Sequence, residues 1–167
     1  MALIDPNTLP YRPCVGIVLL NAGGFIWLGR RFEDLVEQEN HARWQMPQGG
    51  IDKHEDPKAA ALRELYEETG VHSVEVLGET REWIYYDLPP EAVGVALKGK
   101  FRGQRQKWFA MRFLGPEEEI NLTPDGHKPE FDAWRWASPR EVLDTIVDFK
   151  RAAYEAVLSE LGHLAAQ

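Results

Sequence analysis

Cysteine is nearly absent from this sequence, with Cys14 alone among 167 residues. One thiol excludes an internal disulfide and a cysteine-rich zinc site. Basic residues are in deficit, since 19 lysines and arginines face 27 acidic residues and give a net charge of −8. That balance disfavours general binding to duplex nucleic acid. No apolar run approaches the roughly 20 residues of a membrane span. Residues 1–13 also lack the basic and apolar regions of a signal peptide. We therefore expect a cytoplasmic protein without a membrane partner.

The content of apolar side chains supports a folded domain. Apolar residues make up 44% of the chain and aromatic residues 11%, which excludes disorder as a class. The length suits one domain over residues 1–167, with 1–10 as an N-terminal extension, and too little chain for two ordinary domains. We expect a monomer or a weak oligomer.

Strand and helix signals alternate along the chain. The apolar runs 15–20 and 25–28 flank Asn21-Ala22-Gly23-Gly24 and predict a β-hairpin. A polar surface loop is expected over 32–43. Further strands are predicted at 74–77, 82–86, 107–114 and 133–136. Strands interleaved with three helices predict an α/β domain with a mixed sheet.

The second and third of these helices lie near the C-terminus. Ser138 and Glu141 form a capping-box pattern that predicts a helix through about residue 147. An amphipathic helix is predicted over 149–164. Its apolar side is formed by Ala153, Val157, Leu161 and Leu164.

The first helix carries the most informative residues. Asp56 is a suitable N-cap, Pro57 suits the first helical position, and Gly70 suits the left-handed position after the last turn. Leu62 and Leu65 are predicted to face the core.

Three carboxylates lie together on this helix. Glu64 is three residues before Glu67 and four before Glu68, so it is adjacent to both on the helical surface. Like charges at this spacing repel, and a hard cation such as Mg²⁺ would turn the repulsion into attraction. Gly49 and Gly50 allow a metal or phosphate to approach the backbone. The alternative is a solvated acidic helix face, which is the commonest role of such a cluster.

The spacing of this segment resembles the signature of the Nudix hydrolase family, G-x5-E-x7-R-E-U-x-E-E-x-G-U, where U is apolar. Every fixed position is filled, by Gly49, Glu55, Arg63, Glu64, Leu65, Glu67, Glu68, Gly70 and Val71. The resemblance implies an α/β/α sandwich and cleavage of nucleoside diphosphates linked to another group. It implies dependence on Mg²⁺, with Mn²⁺ as a substitute and more than one ion per site. Glu64, Glu67 and Glu68 would be the metal-binding and catalytic acids, whereas Gly49, Glu55, Arg63 and Gly70 would shape the motif.

Segments outside this motif resemble one branch of the family, which comprises bacterial RNA pyrophosphohydrolases and diadenosine polyphosphate hydrolases. The resemblance covers about residues 11–161 and includes the segments 11–17, 29–31, 44–50, 104–109, 129–136 and 147–151. The polar stretch 33–42 is longer than in short members of the branch.

The branch implies further site residues. Glu130, next to a proline and before an aromatic strand, would be another metal ligand or a general base. The predicted substrate-binding residues are Arg12, Arg31, Gln104, Arg105, Lys107 and Phe149. Arginine can bind phosphate in a forked geometry and lysine as a point charge. Phe149 would stack on the first base. For the basic residues the alternative is a solvated surface charge, and for Phe149 it is core packing.

The expected activity is removal of pyrophosphate from the 5′-triphosphate end of single-stranded RNA. Glu67 or Glu130 would take the proton of the attacking water, and the residues leave that choice open. Hydrolysis of dinucleoside polyphosphates is the alternative activity. A non-catalytic nucleotide-binding module is a distant third, since none of the motif's acids is missing.

Overall fold

A computed structural model describes residues 4–32 and 43–165. The described chain forms eight strands and three α-helices in the order β1–β4, α1, β5–β8, α2, α3. The strands are β1 (Tyr11–Leu20), β2 (Ile26–Arg31), β3 (Trp44–Gln45), β4 (Gln48–Gly50), β5 (Val74–Glu79), β6 (Ile84–Asp87), β7 (Gly103–Phe113) and β8 (Phe131–Ala137). The helices are α1 (Pro57–Thr69), α2 (Pro139–Thr145) and α3 (Asp148–Leu161).

A mixed sheet forms the middle of the molecule. Its central pair is parallel, with β1 matched to β7 from Tyr11 opposite Gly103 to Leu20 opposite Arg112. The other pairings are antiparallel: β4 with β1, β3 and β8 with β2, and β5 and β6 with β7. The predicted hairpin is therefore short, because β1 and β2 pair only at Leu20 and Ile26 beside the turn.

Alternate residues of β1 enter two different cores. Val15, Ile17 and Leu19 pack with residues of α1 on one face. Val18 and Leu20 pack with residues of α2 and α3 on the other. Because successive strand side chains point to opposite faces, one apolar strand fills both cores. The result is three layers, and the expected α/β/α sandwich with a mixed sheet is confirmed.

Helix α1 begins and ends at the predicted residues. The Asp56 side chain accepts the Ala59 N–H, and Gly70 takes a φ of 72° as its N–H bonds the Tyr66 carbonyl. The prediction for Leu62 is wrong: this side chain is 39% exposed, whereas Leu65 is fully buried. Ala60 and Ala61 fill the buried face instead, which brings the helix close to the sheet.

Other elements differ from prediction mainly in length. The short strands β3 and β4, which flank Met46-Pro47, are not among the predicted strands. The third helix ends at Leu161, and Leu164 lies in a short 3-10 turn. Most of the predicted loop at 32–43, including the long stretch 33–42, lies outside the described residues. Within the described ranges, no helix has the length and apolarity needed to cross a membrane.

Candidate active site

A cleft of about 450 Å³ opens between the end of α1 that carries the acidic residues, the strands β1, β4 and β7, and the start of α3. One part of its lining, here called the acidic wall, consists of Glu64, Glu68 and Glu130. Another part, here called the apolar wall, is a cluster that packs together around Tyr86. The members of the apolar wall that line the cleft are Tyr86, Leu88, Ala92, Ala96, Leu97 and Phe149.

Two glycines make room for the charged side chains of the cleft. A side chain at position 49 would collide with the Glu64 carboxyl group, and one at position 50 with the Arg12 guanidinium. The sequence suggested that these glycines admit a ligand to the backbone. The structure adds that they let Glu64 of α1 and Arg12 of β1 reach the same cleft.

Burial disfavours the charged form of Glu64 and Glu68, the two helical acids of the acidic wall. Burial raises the pKa of Glu64 to about 7, although the Arg63 charge opposes this shift. The pKa of Glu68 lies well above its ordinary value, first because of burial and then because Glu130 and Glu64 repel its charge. Its carboxylate accepts a 3.3 Å hydrogen bond from the Gln48 N–H. Like-charged carboxylates thus face the same cleft, and burial disfavours the charge on both, although Arg63 partly offsets that of Glu64.

Arg63 of α1 forms hydrogen bonds with Glu55 and Gly50, which precede the helix. Its Nε and Nη2 atoms each donate a 2.8 Å hydrogen bond to one oxygen of Glu55. Nη2 also bonds the Gly50 carbonyl at 2.9 Å. These bonds tie the segment after β4 to α1 and lower the pKa of Glu55 to about 2. This geometry supports the structural role that the resemblance implies for both residues.

Glu67 lies on the Arg63 side of the helix. Both of its carboxylate oxygens accept from Arg63 Nη1 at 3.2 Å, and Nη1 also bonds Glu64 at 3.0 Å. Glu67 does not line the cleft as Glu64 and Glu68 do. Its adjacency to Glu64 is the one that the helical spacing predicted.

Glu130 reaches the cleft from the residue before β8. Its Oε1 atom lies 3.9 Å from Nε of Arg31, the last residue of β2. Pairing of β2 with β8 runs from Ile26 opposite Ala137 to Arg31 opposite Phe131. An acid 62 positions after Glu68 in the chain is thereby brought close enough to raise the Glu68 pKa.

The acidic wall fits a divalent cation in its chemistry. As placed, no three His, Cys, Asp or Glu side chains of residues 4–32 and 43–165 are grouped tightly enough to hold a metal ion. The available donors are all oxygens, which Mg²⁺ and Mn²⁺ prefer. A bound cation would also offset the repulsion among Glu64, Glu68 and Glu130 that raises the Glu68 pKa.

The predicted substrate-binding residues divide into two groups. Arg12, Arg31, Gln104 and Phe149 line the cleft. The other two point elsewhere, since alternate residues of β7 face opposite sides of the sheet. The Arg105 guanidinium lies 4.2 Å from the ring centre of Trp83. Lys107 Nζ donates to the carbonyls of Thr80 and Arg81 at 3.1 Å each.

Sequence reasoning missed several polar residues of the cleft, among them Lys150, Gln45 and Gln48. Lys150 is 6% exposed, and burial followed by the Arg31 charge lowers its pKa to about 8. Its Nζ atom lies 3.5 Å from Gln45 Oε1. A signal was present, because Lys150 precedes Ala153 and Tyr154 by three and four positions on the buried side of α3.

Comparison with known proteins places the chain in a family. The NUDIX domain family matches residues 10–157. The chain therefore belongs to the NUDIX domain family. Nudix hydrolases generally need a divalent metal ion.

Two similar proteins and one solved structure illustrate the relationship. A Brucella ovis protein named RNA pyrophosphohydrolase is 57% identical over 169 residues, covering 99% of this chain and 95% of its own. A Brucella anthropi protein of the same name is 55% identical, covering 98% and 96%. The MutT protein of Methanosarcina mazei Go1 superposes with a TM-score of 0.63 at 20% identity, covering 92% of this chain and 96% of its own. The last likeness concerns the fold alone.

Proposed function

We propose that this protein is an RNA pyrophosphohydrolase that converts a 5′-triphosphate RNA end to a 5′-monophosphate and releases pyrophosphate. One observation carries the proposal: a single cleft joins the acidic wall, two arginines and an aromatic apolar wall. A metal-assisted phosphate site thus lies next to a surface suited to a nucleobase. The name of both Brucella relatives, RNA pyrophosphohydrolase, supports the choice of substrate. A cytoplasmic location and a role in mRNA decay belong to the same proposal.

Each wall has a separate task in this reaction. Glu64, Glu68 and Glu130 would hold one or more Mg²⁺ or Mn²⁺ ions. When bound, such an ion supplies Lewis-acid polarisation of the phosphoanhydride and activation of water. Arg12 and Arg31 would bind the phosphate oxygens and stabilise the charge that develops on the leaving pyrophosphate. Phe149 would stack on the first base.

The proton of the attacking water needs an acceptor. Glu130 lines the cleft, and its Oε1 atom lies 3.9 Å from Arg31 Nε, which is longer than a hydrogen bond. Glu67 is held by Arg63. The geometry thus supports Glu130 as the base more than Glu67, and supports Glu67 as a residue that becomes a ligand only after leaving Arg63.

A competition assay with Mg²⁺ tests the proposal. Unpaired 5′-triphosphate RNA and diadenosine tetraphosphate are mixed at equal concentrations, and pyrophosphate with 5′-monophosphate ends is measured against ATP. We expect RNA to be the preferred substrate and turnover to stop when the metal is chelated. Preference for the dinucleotide would replace the substrate but keep the chemistry. Absence of turnover on both would favour the non-catalytic nucleotide-binding module.

A further inference from the structure

A chain of side-chain hydrogen bonds runs from the buried core to the floor of the cleft. Trp108 Nε1 donates to Gln106 Oε1 at 2.9 Å. Gln106 Nε2 then donates to Gln104 Oε1 at 2.8 Å and to Gln48 Oε1 at 3.2 Å. Trp108 is fully buried and Gln106 is 1% exposed, so water does not compete for these bonds.

The chemistry of the indole fixes the direction of every bond in this chain. An indole N–H is a donor only, so the Gln106 atom facing it must be the carbonyl oxygen. The other end of the Gln106 amide is then NH2, which can only donate. The atoms that face it on Gln104 and Gln48 must therefore be their oxygens, and the NH2 groups of both residues are left on the other side.

The two residues that carry these NH2 groups belong to the cleft. Gln104 and Gln48 both line the cleft. They lie on the same face of β7 and β4, the two strands that flank β1, opposite Arg12 and Gly16 of β1 respectively. Both bonds to Gln106 use the Oε1 atoms of Gln104 and Gln48, so within residues 4–32 and 43–165 their Nε2 atoms take no part in this chain of hydrogen bonds. Gly16 permits the arrangement, because a side chain there would collide with the Trp108 ring that carries the first donor.

We infer that Trp108 and Gln106 are positioning residues that hold Gln48 and Gln104 as N–H donors toward the phosphate oxygens of the substrate. The inference rests on the proposed function for the identity of that substrate. The hydrogen bonds from Trp108 through Gln106 to these two residues are here called the relay. Without the relay, the side-chain amide of Gln48 or Gln104 can rotate and present its carbonyl oxygen, which repels an anion. Binding of phosphate then depends on a buried tryptophan that never touches it.

Comparing Gln106→Leu in the wild-type protein and in a protein that lacks both cleft glutamines tests whether Gln106 acts through Gln48 and Gln104. Gln106→Leu should raise KM for 5′-triphosphate RNA by roughly 10-fold, because hydrogen bonds to charged groups are the strong ones, and should change kcat less than about 3-fold. In a protein that already carries Gln48→Leu and Gln104→Leu, adding Gln106→Leu should change KM less than about 2-fold. Additive effects would overturn the inference.

Thr80→Val provides a matched control for packing around Trp108. The Thr80 hydroxyl is buried and accepts the Trp108 backbone N–H at 3.0 Å, so the variant disturbs Trp108 but leaves its indole bond. We expect a lower Tm with an unchanged KM. The inhibition constant of pyrophosphate should rise in Gln106→Leu in parallel with KM. A rise in KM alone would mean that the amides contact the base, which also overturns the inference.

A binding measurement separates this inference from the proposed activity. In the wild-type protein without metal, added inorganic pyrophosphate should shift the side-chain NH2 signals of Gln48 and Gln104 in ¹⁵N NMR spectra. Gln106→Leu should abolish the shift. If RNA is not hydrolysed but the shift occurs, the proposed function fails and the relay stands. If wild-type RNA turnover is normal and pyrophosphate shifts neither signal, the relay fails and the proposed function stands.

Discussion

The acidic wall and the apolar wall of the cleft are built in opposite ways. Two members of the acidic wall, Glu64 and Glu68, lie four residues apart on α1, and Arg63 fastens the same helix to its preceding loop. The apolar wall combines β6, the segment 88–97 and the first turn of α3. The first is a short continuous motif, whereas the second exists only after distant parts of the chain have packed.

The two walls also differ in their effect on the stability of the fold. Buried like charges weaken the fold unless they are neutralised, so the acidic wall favours binding of a cation over stability of the empty protein. The apolar wall buries Tyr86 and Leu88 to 7% and 8% exposure, so it stabilises the fold and offers a ligand surface at the same time. Substitutions should therefore separate catalysis from stability in the first wall and couple binding to stability in the second.

The largest effect is expected from Glu68→Gln. Replacing this carboxylate removes a metal oxygen ligand, so kcat should fall by roughly 10³-fold or more. The same change removes repulsion with Glu64 and Glu130, so the Tm of the metal-free protein should equal or exceed that of the wild type. Glu79→Gln, an exposed acid of β5, is the control and should change neither. A Glu68→Gln protein with normal turnover would remove Glu68 from the proposed ligands.

The next largest effect is expected from replacing the general base, for which Glu130 and Glu67 are the two candidates. Replacing a general base by its amide should lower kcat by roughly 10²–10⁴-fold. We expect Glu130→Gln to lower kcat by this amount, since Glu130 lies in the cleft. Glu67→Gln should lower the rate through weaker metal binding, and excess Mg²⁺ should recover part of it. A Glu67→Gln enzyme that no metal concentration improves would transfer the role of base to Glu67.

An intermediate effect is expected from Phe149→Ala in the apolar wall. Stacking of a base on an aromatic ring contributes about 1–3 kcal/mol, so KM for RNA should rise roughly 5- to 100-fold with a smaller change in kcat. The ring also lies 5.7 Å from that of Tyr86, so Tm should fall as well. Phe149→Tyr, which keeps the ring, is the matched variant. An unchanged KM in Phe149→Ala would assign the ring to packing alone.

The smallest effect is a change in stability with pH. Hydrogen bonds from Arg63 keep the pKa of Glu55 at about 2 in the folded protein, below the ordinary value near 4.3. This contribution is therefore complete above about pH 4.3 and is lost as the pH falls toward 2. Glu55→Gln should lower the free energy of unfolding by about 1–2 kcal/mol at pH 7. The expected loss is this small because Arg63 is partly exposed and solvent screens its interaction with Glu55. The difference from wild type should shrink in denaturation curves taken from pH 5 down to pH 3. A constant difference would assign the loss to packing.

The sequence predicted the local features better than the distant ones. The caps of α1 and the adjacency of Glu64 to Glu67 and Glu68 follow from spacing within one helix. The error at Leu62 arose because spacing alone did not show that Ala60 and Ala61 form the contact with the sheet. Arg105 and Lys107 share one face of β7, but periodicity does not say which face borders the cleft.

Residues brought together by the sheet were the hardest to anticipate. Gln48 and Gln106 meet through the pairing of β4 and β7 with β1, and no local pattern announces that contact. Glu130 and Phe149 were reached through family resemblance, since each lies far along the chain from α1. Lys150 was detectable as a charge on the buried side of α3, but the amphipathic pattern was assigned from its apolar residues.

The parallel pairing of β1 with β7 has a consequence for the synthesis of the protein. Strand β1 cannot form its parallel pairing until β7, which begins at residue 103, has been synthesised. The cleft is incomplete until α3 has been synthesised as well. Such long-range pairing folds slowly and late. A chain still emerging from the ribosome can therefore contain all of residues 49–71 before the strand and helix that complete the cleft have been made. Under the proposed function, we expect no turnover of RNA before residues 103–161 have been made and have folded.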